Sequence, residues 1–403
     1  MALMSVDDAL AQMRAAAQAY RAAQPLAQET LPLLAARGRI LAHDVIAPIN
    51  VPPAHNSAMD GYAFCLVDAL SAPSLVISQR IPAGAAPQPL KPGTAARIFT
   101  GGVVPDGADT VEMQENCCED QGRVQFLQLP QRGGNIRAAG EDIACGSTVL
   151  GAGVVLGPVQ LGLLASLGLA EIAVFQRLRI ALLCTGNELV SPGGKLQPGQ
   201  LFNSNETLLA ALLQQQGCDV IHMPPVEDTL ASTQQVLALA AASGAQLIIS
   251  TGGVSVGEED HVRAAVQNAG QLDLWKVAIK PGKPLAFGQV HGIPFIGLPG
   301  NPQSVWVTTQ ALALPFIRCL QGDVSMPLVL SVPSGFERQK PQGRREYLRV
   351  KVEADEQGRS RLMAHPKQGS GVLASAAWAD GLAVVEVGAS VEPGQLLPFW
   401  VTK

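Results

Sequence analysis

Residues 180–186 read Ile-Ala-Leu-Leu-Cys-Thr-Gly. A run of apolar residues that ends at a glycine is typical of a strand buried on both faces of a sheet. Further strand patterns follow at 219–223, 246–251, 275–280, 285–290 and 293–298. Helix patterns cover 204–216, 229–242, 260–268 and the stretch from Asn301 to about Leu320. This alternation predicts a doubly wound, mostly parallel α/β sheet over residues 179–325.

The rest of the chain predicts smaller units around that sheet. Ser5-Val6-Asp7-Asp8 resembles a capping box before a helix that runs to about Tyr20. Residues 29–47 predict a strand, a helix (Leu33–Ile40) and a strand, and prolines at 48, 52 and 53 mark a boundary. Short β-runs follow at 75–80, 95–100, 110–114 and 124–129, and short strands return after residue 326. The predicted fold is therefore multidomain α/β plus β: a linking α+β domain (1–47 with 146–178), a β-rich inserted domain (48–145), the α/β domain (179–325) and a C-terminal all-β, barrel-like domain (326–403).

Composition excludes several classes of protein. The 403 residues are 47% hydrophobic and 15% charged, which indicates a globular chain. The net charge of −5 argues against a nucleic-acid binder that relies on bulk positive charge. The seven cysteines are odd in number and form no C-x-x-C pair, and the N-terminus shows no signal peptide, so we expect a reducing compartment, the cytoplasm.

One apolar stretch is long enough to span a membrane. Between Asp142 and Glu171 there is no charged residue. Its glycines are clustered with β-branched residues between them, so we interpret it as strand, turn, short helix and strand, and we expect no membrane contact.

Residues 275–284, Trp-Lys-Val-Ala-Ile-Lys-Pro-Gly-Lys-Pro, place three lysines within eight positions. If 275–280 form a strand, Lys276 and Lys280 point to the same face, and Lys283 follows on the turn. This concentration of positive charge at a strand end suits a phosphorylated ligand. The alternative is an exposed edge strand that its lysines protect from pairing.

Three glycine-rich loops follow strands of the predicted sheet, at 185–188 (TGNE), 250–257 (STGGVSVG) and 298–304 (LPGNPQS). Ligands bind beyond the carboxyl ends of strands in such sheets. Asn301 is a plausible N-cap and Pro302 a plausible first helical residue, and a helix start of this kind binds phosphate. Together with the lysines, the loops favour a nucleotide-like ligand.

The acidic residues form a second set. Glu188, Asp228 and Asp260 lie near loops of this sheet edge, and Asp60 and Asp142 lie in the β-rich half. Carboxylates that face a phosphate site usually hold Mg²⁺. Each taken alone is equally a cap or turn residue, and Asp228 is an N-cap candidate for helix 229–242.

Other catalytic signatures are missing from the sequence. The six histidines show no H-E-x-x-H spacing, and there is no G-x-S-x-G elbow and no Walker A loop. Arg344–Arg349 is interpreted as a charged strand face or turn.

Six segments in this order resemble the molybdopterin molybdenumtransferase family, to which the C-terminal domain of gephyrin belongs. They are NSAMDGY (56–62), RAAGED (137–142), TGNEL (185–189), STGGVSVGEED (250–260), WKVAIKPGKP (275–284) and GLPGNP (297–302). The similarity runs from about residue 5 to 400.

The resemblance implies that molybdenum from molybdate is inserted into adenylyl-molybdopterin, with Mg²⁺-assisted release of AMP. It also implies an elongated homodimer whose active site combines the α/β domain of one chain with the β-rich half of the other. Contacts with the molybdopterin adenylyltransferase and with acceptor molybdoenzymes are further possibilities. The implied catalytic residues are Asp60, Asp142, Glu188, Lys276 and Lys280, and the implied metal ligands are Glu188, Asp228 and Asp260. The implied cofactor-binding residues are Thr100, Arg137, Gly252, Gly253, Ser255, Lys283, Pro299, Gly300, Asn301, Pro302 and Ser370.

The chain departs from the family pattern at three positions. Asn203 stands where Asp is usual, which removes a negative charge near the pocket. Glu112 and Gln303 replace apolar residues, and we expect both to affect packing. Two other functions are left open by the sequence: a carrier or scaffold that binds molybdopterin without turnover, and a paralogue that uses tungstate.

Overall fold

The structure is a computed structural model that describes residues 3–253 and 261–402. The first part of the chain contains α1 (Val6–Ala23), β1 (Gln28–Pro32), β2 (Val45–Ile46), β3 (Asn56–Ser57), β4 (Gly61–Phe64), α2 (Leu66–Ser71), β5 (Leu75–Ile81), β6 (Thr94–Ile98), β7 (Thr110–Met113), β8 (Cys117–Asp120), β9 (Arg123–Phe126), β10 (Ile136–Arg137), β11 (Thr148–Leu150), α3 (Pro158–Ser166) and β12 (Glu171–Phe175).

The second part begins with β13 (Arg179–Cys184), β14 (Leu189–Val190), β15 (Leu201–Phe202), α4 (Ser204–Gln215), β16 (Asp219–His222), α5 (Leu230–Ala242), β17 (Leu247–Thr251), α6 (His261–Ala269), β18 (Gly270–Lys276), β19 (Ile279–Lys280), β20 (Pro284–Val290), β21 (Ile293–Leu298), α7 (Pro302–Thr308) and α8 (Leu314–Gln321). It ends with β22 (Val329–Pro333), β23 (Arg345–Ala354), β24 (Ser360–Ala364), α9 (Ala374–Trp378), β25 (Gly381–Val385) and β26 (Leu396–Val401).

The central sheet confirms the predicted doubly wound fold. Its strand order is β16-β13-β17-β21-β20-β18; β16, β13, β17 and β21 are parallel neighbours, and β20 alone runs in the opposite direction, antiparallel to both β21 and β18. Successive residues of β13 point to opposite faces, as in any strand. Ile180 and Leu182 therefore enter a core with α1, α7 and α8, while Ala181 and Leu183 enter a second core with α5 and α6. Burial on both faces explains why residues 180–184 are uniformly apolar.

The lysine-rich segment 275–280 is not a single strand, and this prediction was wrong. β18 ends at Lys276, and residues 279–280 form β19, which pairs in parallel with β23 of a different sheet. The chain changes sheets between the two lysines, so Lys276 and Lys280 do not share a strand face.

The last helix of the α/β part runs over the predicted length but is interrupted. A π-helical turn at Thr309–Ala313 separates α7 from α8. Pro315 lies in the first turn of α8 and has no backbone N–H, so it cannot make the regular bond one turn back.

The uncharged stretch before Glu171 has the predicted structure. It forms β11, the nine-residue α3 and β12. Among the helices of residues 3–253 and 261–402, none combines the length and hydropathy needed to cross a bilayer. The predicted helix at 33–40 is wrong in extent, since only Leu33–Ala36 form a short 3₁₀ turn.

The C-terminal strands curl into the expected barrel-like form. They follow the order β24-β23-β25-β26-β22, and β19 also pairs with β23. A parallel bridge between Ser334, just after β22, and Leu362 of β24 brings the two ends together.

The N-terminal helix packs on the α/β part. Ser5 caps α1 as predicted, because its Oγ accepts a hydrogen bond of 3.0 Å from the Asp8 N–H. Val6 and Met13 are buried in the same core as the central sheet. The domain boundaries given above stay a prediction.

Candidate active site

A cavity of about 720 Å³ lies at the edge of the central sheet where the parallel strands end. Its walls come from three parts of the chain: 188–205, 280–304 and 344–370. Eight of the residues implied by the resemblance line it: Glu188, Lys280, Lys283, Pro299, Gly300, Asn301, Pro302 and Ser370. The structure therefore brings together residues that lie up to 182 positions apart.

The glycines of the loops allow the strand ends to pack closely. Gly252 has φ +83°, and a Cβ there would lie 2.7 Å from the Thr185 carbonyl oxygen. A Cβ on Gly300 would lie 3.9 Å from the Gly252 Cα. The loops after β13, β17 and β21 are thus in contact. Gly253 also has positive φ (+63°), whereas Ser255 and Asp260 lie outside the described residues.

The three lysines have different environments. Lys280 Nζ donates to Gln342 Oε1 and pairs with Glu346 Oε1, both at 3.0 Å. Lys283 is exposed on the cavity wall and has no partner within the described part of the chain. Lys276 does not line the cavity; it is half-buried at the end of β18, an edge strand of the central sheet.

Glu346 is buried, and two cations compensate its negative charge. Arg338 donates to both of its carboxylate oxygens, at 2.5 and 2.6 Å, in addition to the Lys280 contact. Two cations against one carboxylate leave a net positive charge beside the cavity.

The turn that carries Lys283 is fixed against α7. Gly282 has φ +106°, and a Cβ there would lie 2.7 Å from Thr308 Cγ2. Only glycine fits this conformation and this contact without strain. The position of Lys283 therefore depends on the packing of its neighbour.

Several lining residues were not predicted. Arg344 reaches the cavity edge from the C-terminal barrel and donates to the Ile279 carbonyl at 3.2 Å. Gln368 comes from the same barrel, and Asn205 from α4. With Lys280, Lys283 and Arg344 against Glu188, the cavity is electropositive and suits an anionic ligand.

Asp228 lies beside the Glu188 loop, but it is not a helix cap. Its backbone N–H donates to Asn187 Oδ1 at 3.0 Å. The N-cap of α5 is Thr229, whose Oγ1 accepts from the Ser232 N–H at 3.2 Å. Both residue types cap helices well, so the sequence alone placed the cap one residue early.

Asn203 belongs to a polar cluster at the start of α4. Its Oδ1 accepts from the Glu206 N–H at 3.2 Å, and its Nδ2 donates to Glu206 Oε2 at 3.0 Å. Glu206 also bonds His222 Nδ1 at 2.8 Å. An aspartate at position 203 could not donate to Glu206. The asparagine, which departs from the family pattern, therefore suits the glutamate at position 206.

Gln303 holds the barrel segment that ends the cavity. This fully buried side chain donates to the Val372 carbonyl at 2.8 Å and to Ser375 Oγ at 3.1 Å. Its backbone N–H donates to the Ser370 carbonyl at 3.0 Å. The glutamine side chain therefore adds hydrogen bonds to residues 372 and 375, beyond the backbone bond to Ser370 that an apolar residue would also make.

Glu112, the third departure, is buried in the β-rich sheet. Its Oε1 accepts from the Met113 N–H at 3.0 Å and from Asn116 Nδ2 at 2.8 Å. Glu112 is not among the residues that line the cavity. Its hydrogen bonds stabilise the chain around the end of β7.

The acidic residues of the β-rich half form a separate group. Asp60 Oδ1 accepts two hydrogen bonds from Thr100, at 2.8 Å from the backbone N–H and 2.7 Å from the hydroxyl. These bonds, with a smaller effect of Arg97, lower the pKa of Asp60 below its usual range. Asp60 is therefore an ionised carboxylate, and its Oδ2 has no hydrogen-bond partner among residues 3–253 and 261–402.

Residues 51–60 contact the other members of this group through backbone pairing. Asn56 pairs with Arg137 across β3 and β10, and the Asp142 N–H donates to the Val51 carbonyl at 3.0 Å. Arg137 and Asp142 are both exposed. No residue between 48 and 145 lines the 720 Å³ cavity. Within the described residues of one chain, the polar group of the β-rich half therefore lies outside the cavity that contains Glu188 and the lysines.

Comparison with known families covers most of the chain. Residues 4–168 match the MoeA N-terminal region (domain I and II), 181–319 match a probable molybdopterin binding domain, and 331–401 match the MoeA C-terminal region (domain IV). A molybdopterin molybdenumtransferase of Haemophilus influenzae is 41% identical over 350 residues, which cover 86% of each chain. The chain belongs to the molybdopterin molybdenumtransferase family.

Other members of the family agree with this assignment. The molybdopterin molybdenumtransferase of Nostoc is 39% identical over 73% of this chain and 70% of its own. A crystal structure of a molybdopterin biosynthesis MoeA protein from Pyrococcus horikoshii covers both chains fully, with a TM-score of 0.80 and 27% identity. Membership makes the protein a transferase of molybdenum cofactor biosynthesis, as the six motifs predicted.

Proposed function

We propose that this molybdenumtransferase inserts molybdenum from molybdate into adenylyl-molybdopterin and releases AMP. The observation that carries the proposal is the electropositive cavity, in which Glu188, two lysines and the glycine-rich loops meet at one sheet edge. A pterin bearing an adenylylated phosphate is anionic and large, and the cavity of about 720 Å³ is in the range of small-molecule sites.

The lysines and loops account for binding. Lys283, which has no competing partner in the described residues, would pair with a phosphate of the anhydride. Lys280 is held by Glu346 and adds positive charge from a fixed position. Gly300 and Pro302 lie where a ligand can approach the backbone at the start of α7.

Among the described residues, no three His, Cys, Asp or Glu side chains converge on one metal position, so a magnesium ion near the anhydride would take its protein ligands from a few oxygen atoms of the cavity wall. Mg²⁺ prefers oxygen ligands. Glu188 offers a carboxylate on the cavity wall, and Asn205, which also lines the cavity, has a buried Oδ1 without a hydrogen-bond partner among the described residues. Asp228 is next to the Glu188 loop. When bound, the ion would offset negative charge on the phosphates as AMP leaves.

We infer that a second copy of the chain completes the site. Asp60, Thr100, Arg137 and Asp142 form a polar group without a place in the cavity of their own chain. In a symmetric dimer, each cavity could receive this group from the partner.

The reaction would take place in the cytoplasm, in keeping with seven free thiols. Contacts with the adenylyltransferase and with acceptor enzymes are further parts of the proposal.

The test is AMP release from adenylyl-molybdopterin by the purified protein, with Mg²⁺ and with or without molybdate. We expect molybdate-dependent release together with active cofactor. Glu188→Ala and Asp60→Ala should each lower the rate at least about 100-fold, in line with the loss of a positioned catalytic group. Glu356→Ala, an exposed turn carboxylate in the barrel, is the matched control and should leave the rate unchanged.

The result also separates the alternatives. Tight binding of the pterin without AMP release would show a carrier and contradict the proposal. Normal rates in both Glu188→Ala and Asp60→Ala would show that the site is assigned to the wrong residues. Faster turnover with tungstate than with molybdate would identify a tungstate-using paralogue.

A further inference from the structure

The β-rich sheet carries two arginines side by side on one face. Arg80 of β5 and Arg97 of β6 are direct partners across the parallel pair. A β-bulge at Ser78 creates this register, since Ile77 faces Ala95 but Gln79 faces Ala96. The bulge keeps Ile81 and Ile98 together in the core and leaves both arginines on the opposite face.

A shared aromatic ring holds the two guanidinium groups. The Cζ atoms of Arg80 and Arg97 lie 4.9 and 5.0 Å from the centroid of Phe99. Arg97 is also 4.9 Å from the ring of Tyr62 and donates to the Gly61 carbonyl at 3.4 Å. Both cations are thus fixed in place by cation–π contacts.

The charges of these arginines are not compensated by ion pairs. Like charges directly opposite on neighbouring strands are destabilising. In the described residues, neither arginine lies within salt-bridge distance of a carboxylate. Two carboxylates near the pair each have another partner: Asp60 Oδ1 accepts from Thr100, and Glu119 accepts from the Tyr62 hydroxyl at 2.5 Å.

A groove of about 530 Å³ opens over the pair. Arg80, Arg97 and Phe99 line it, together with Ser78, Gln79 and Glu119. The groove lies close to Asp60 along the chain, because its lining residue Phe99 directly precedes Thr100, which donates a hydrogen bond to Asp60. The groove therefore adjoins the polar group of the β-rich half.

We propose that this groove is a binding subsite for a tetrahedral dianionic oxyanion. Two guanidinium groups held by one ring present several N–H donors to such an ion, and the ion removes their mutual repulsion. Molybdate and the phosphate group of a nucleotide share this chemistry, and the groove has room for more than the ion alone. The subsite adds to the proposed function but does not rest on it, because binding requires no pterin and no turnover.

The test is calorimetric titration of the full chain with molybdate, inorganic phosphate and AMP in separate experiments. Lys283→Gln is the background, so that anion binding in the other cavity is weakened. Adding Arg80→Gln should lower the affinity for the bound anion at least about tenfold, the effect of losing a charge-assisted hydrogen bond. Arg37→Gln, an exposed arginine without an ion pair in the described residues, removes the same charge and should have no effect.

The three titrations identify the source of the anion. A preference for molybdate would assign the groove to the metal substrate, and a preference for AMP would assign it to the nucleotide. Crystals grown with tungstate should show an anomalous peak between Arg80 and Arg97. Equal affinities with and without Arg80→Gln, or a tungstate peak only in the lysine-lined cavity, would overturn the proposal.

Discussion

At the scale of the residue, Asn203 and Glu206 act as one unit. The amide of Asn203 both caps α4 and donates to the Glu206 carboxylate. The sequence alone does not predict this role of the amide, because it shows only that a negative charge is missing at position 203. The contact depends on the helix geometry that places positions 203 and 206 side by side.

Replacing the amide by a carboxylate should therefore destabilise the protein. Asn203→Asp keeps a good cap but loses the donor to Glu206 and places two carboxylates together. We expect a loss of about 1–2 kcal/mol in the free energy of unfolding. Urea denaturation measures it, and Asn203→Asp with Glu206→Gln should recover most of the loss. Equal stability of Asn203→Asp and the wild type would contradict this account.

A site residue can be predicted from the sequence when its neighbours along the chain form a recognisable turn or cap pattern. Lys283, Gly300 and Asn301 stand out in the sequence because turn and helix-cap positions favour particular residue types, and all three line the cavity. Arg344 and Gln368 could not be predicted, since they reach the cavity through the folding of a distant barrel.

At the scale of the element, the turn 281–284 depends on one glycine. Gly282→Ala meets both positive φ and Thr308, 2.7 Å from the new Cβ. We expect a loss of at least about 2 kcal/mol in the free energy of unfolding, and weaker substrate binding because Lys283 moves.

Gly292→Ala is the matched control for this change. Gly292 also has positive φ (+80°), but a Cβ there meets no atom within 4 Å. It should lose only about 1 kcal/mol, the cost of the conformation alone. Chemical denaturation compares the two variants, and equal losses would show that the contact with Thr308 does not matter.

The elements themselves were predictable where periodicity is strong. The strands β13, β17 and β21 were found because burial on both faces makes them wholly apolar. The break after Lys276 was missed because a strand pattern does not show which sheet each half joins.

At the scale of the whole molecule, an ion pair ties the first helix to the C-terminal barrel. Arg345 donates to both carboxylate oxygens of Asp7, at 2.9 and 2.8 Å. This hydrogen bonding lowers the pKa of Asp7 in the folded protein. The pair therefore stabilises the protein above the ordinary carboxylate range, and its contribution is lost as the pH falls through the lowered pKa.

Asp7→Asn should accordingly cost stability at pH 7 and cost little in acid. Because Asp7 is largely exposed, we expect less than about 1 kcal/mol at neutral pH. A double-mutant cycle with Arg345→Gln isolates the pair from the effect of Asp7 on the helix terminus. A coupling energy in the cycle that does not shrink below about pH 4 would contradict the assignment.

Refolding a mixture of two inactive variants shows whether two chains share one active site. Glu188→Gln and Asp60→Asn variants, each inactive alone, are unfolded, mixed in equal amounts and refolded, and molybdate-dependent AMP release is measured. With random pairing, half of the dimers are mixed, and each has one intact site, so activity should return to about a quarter of that of the wild type treated alike. A mixture as inactive as its two components would show that Glu188 and Asp60 do not act together across the dimer.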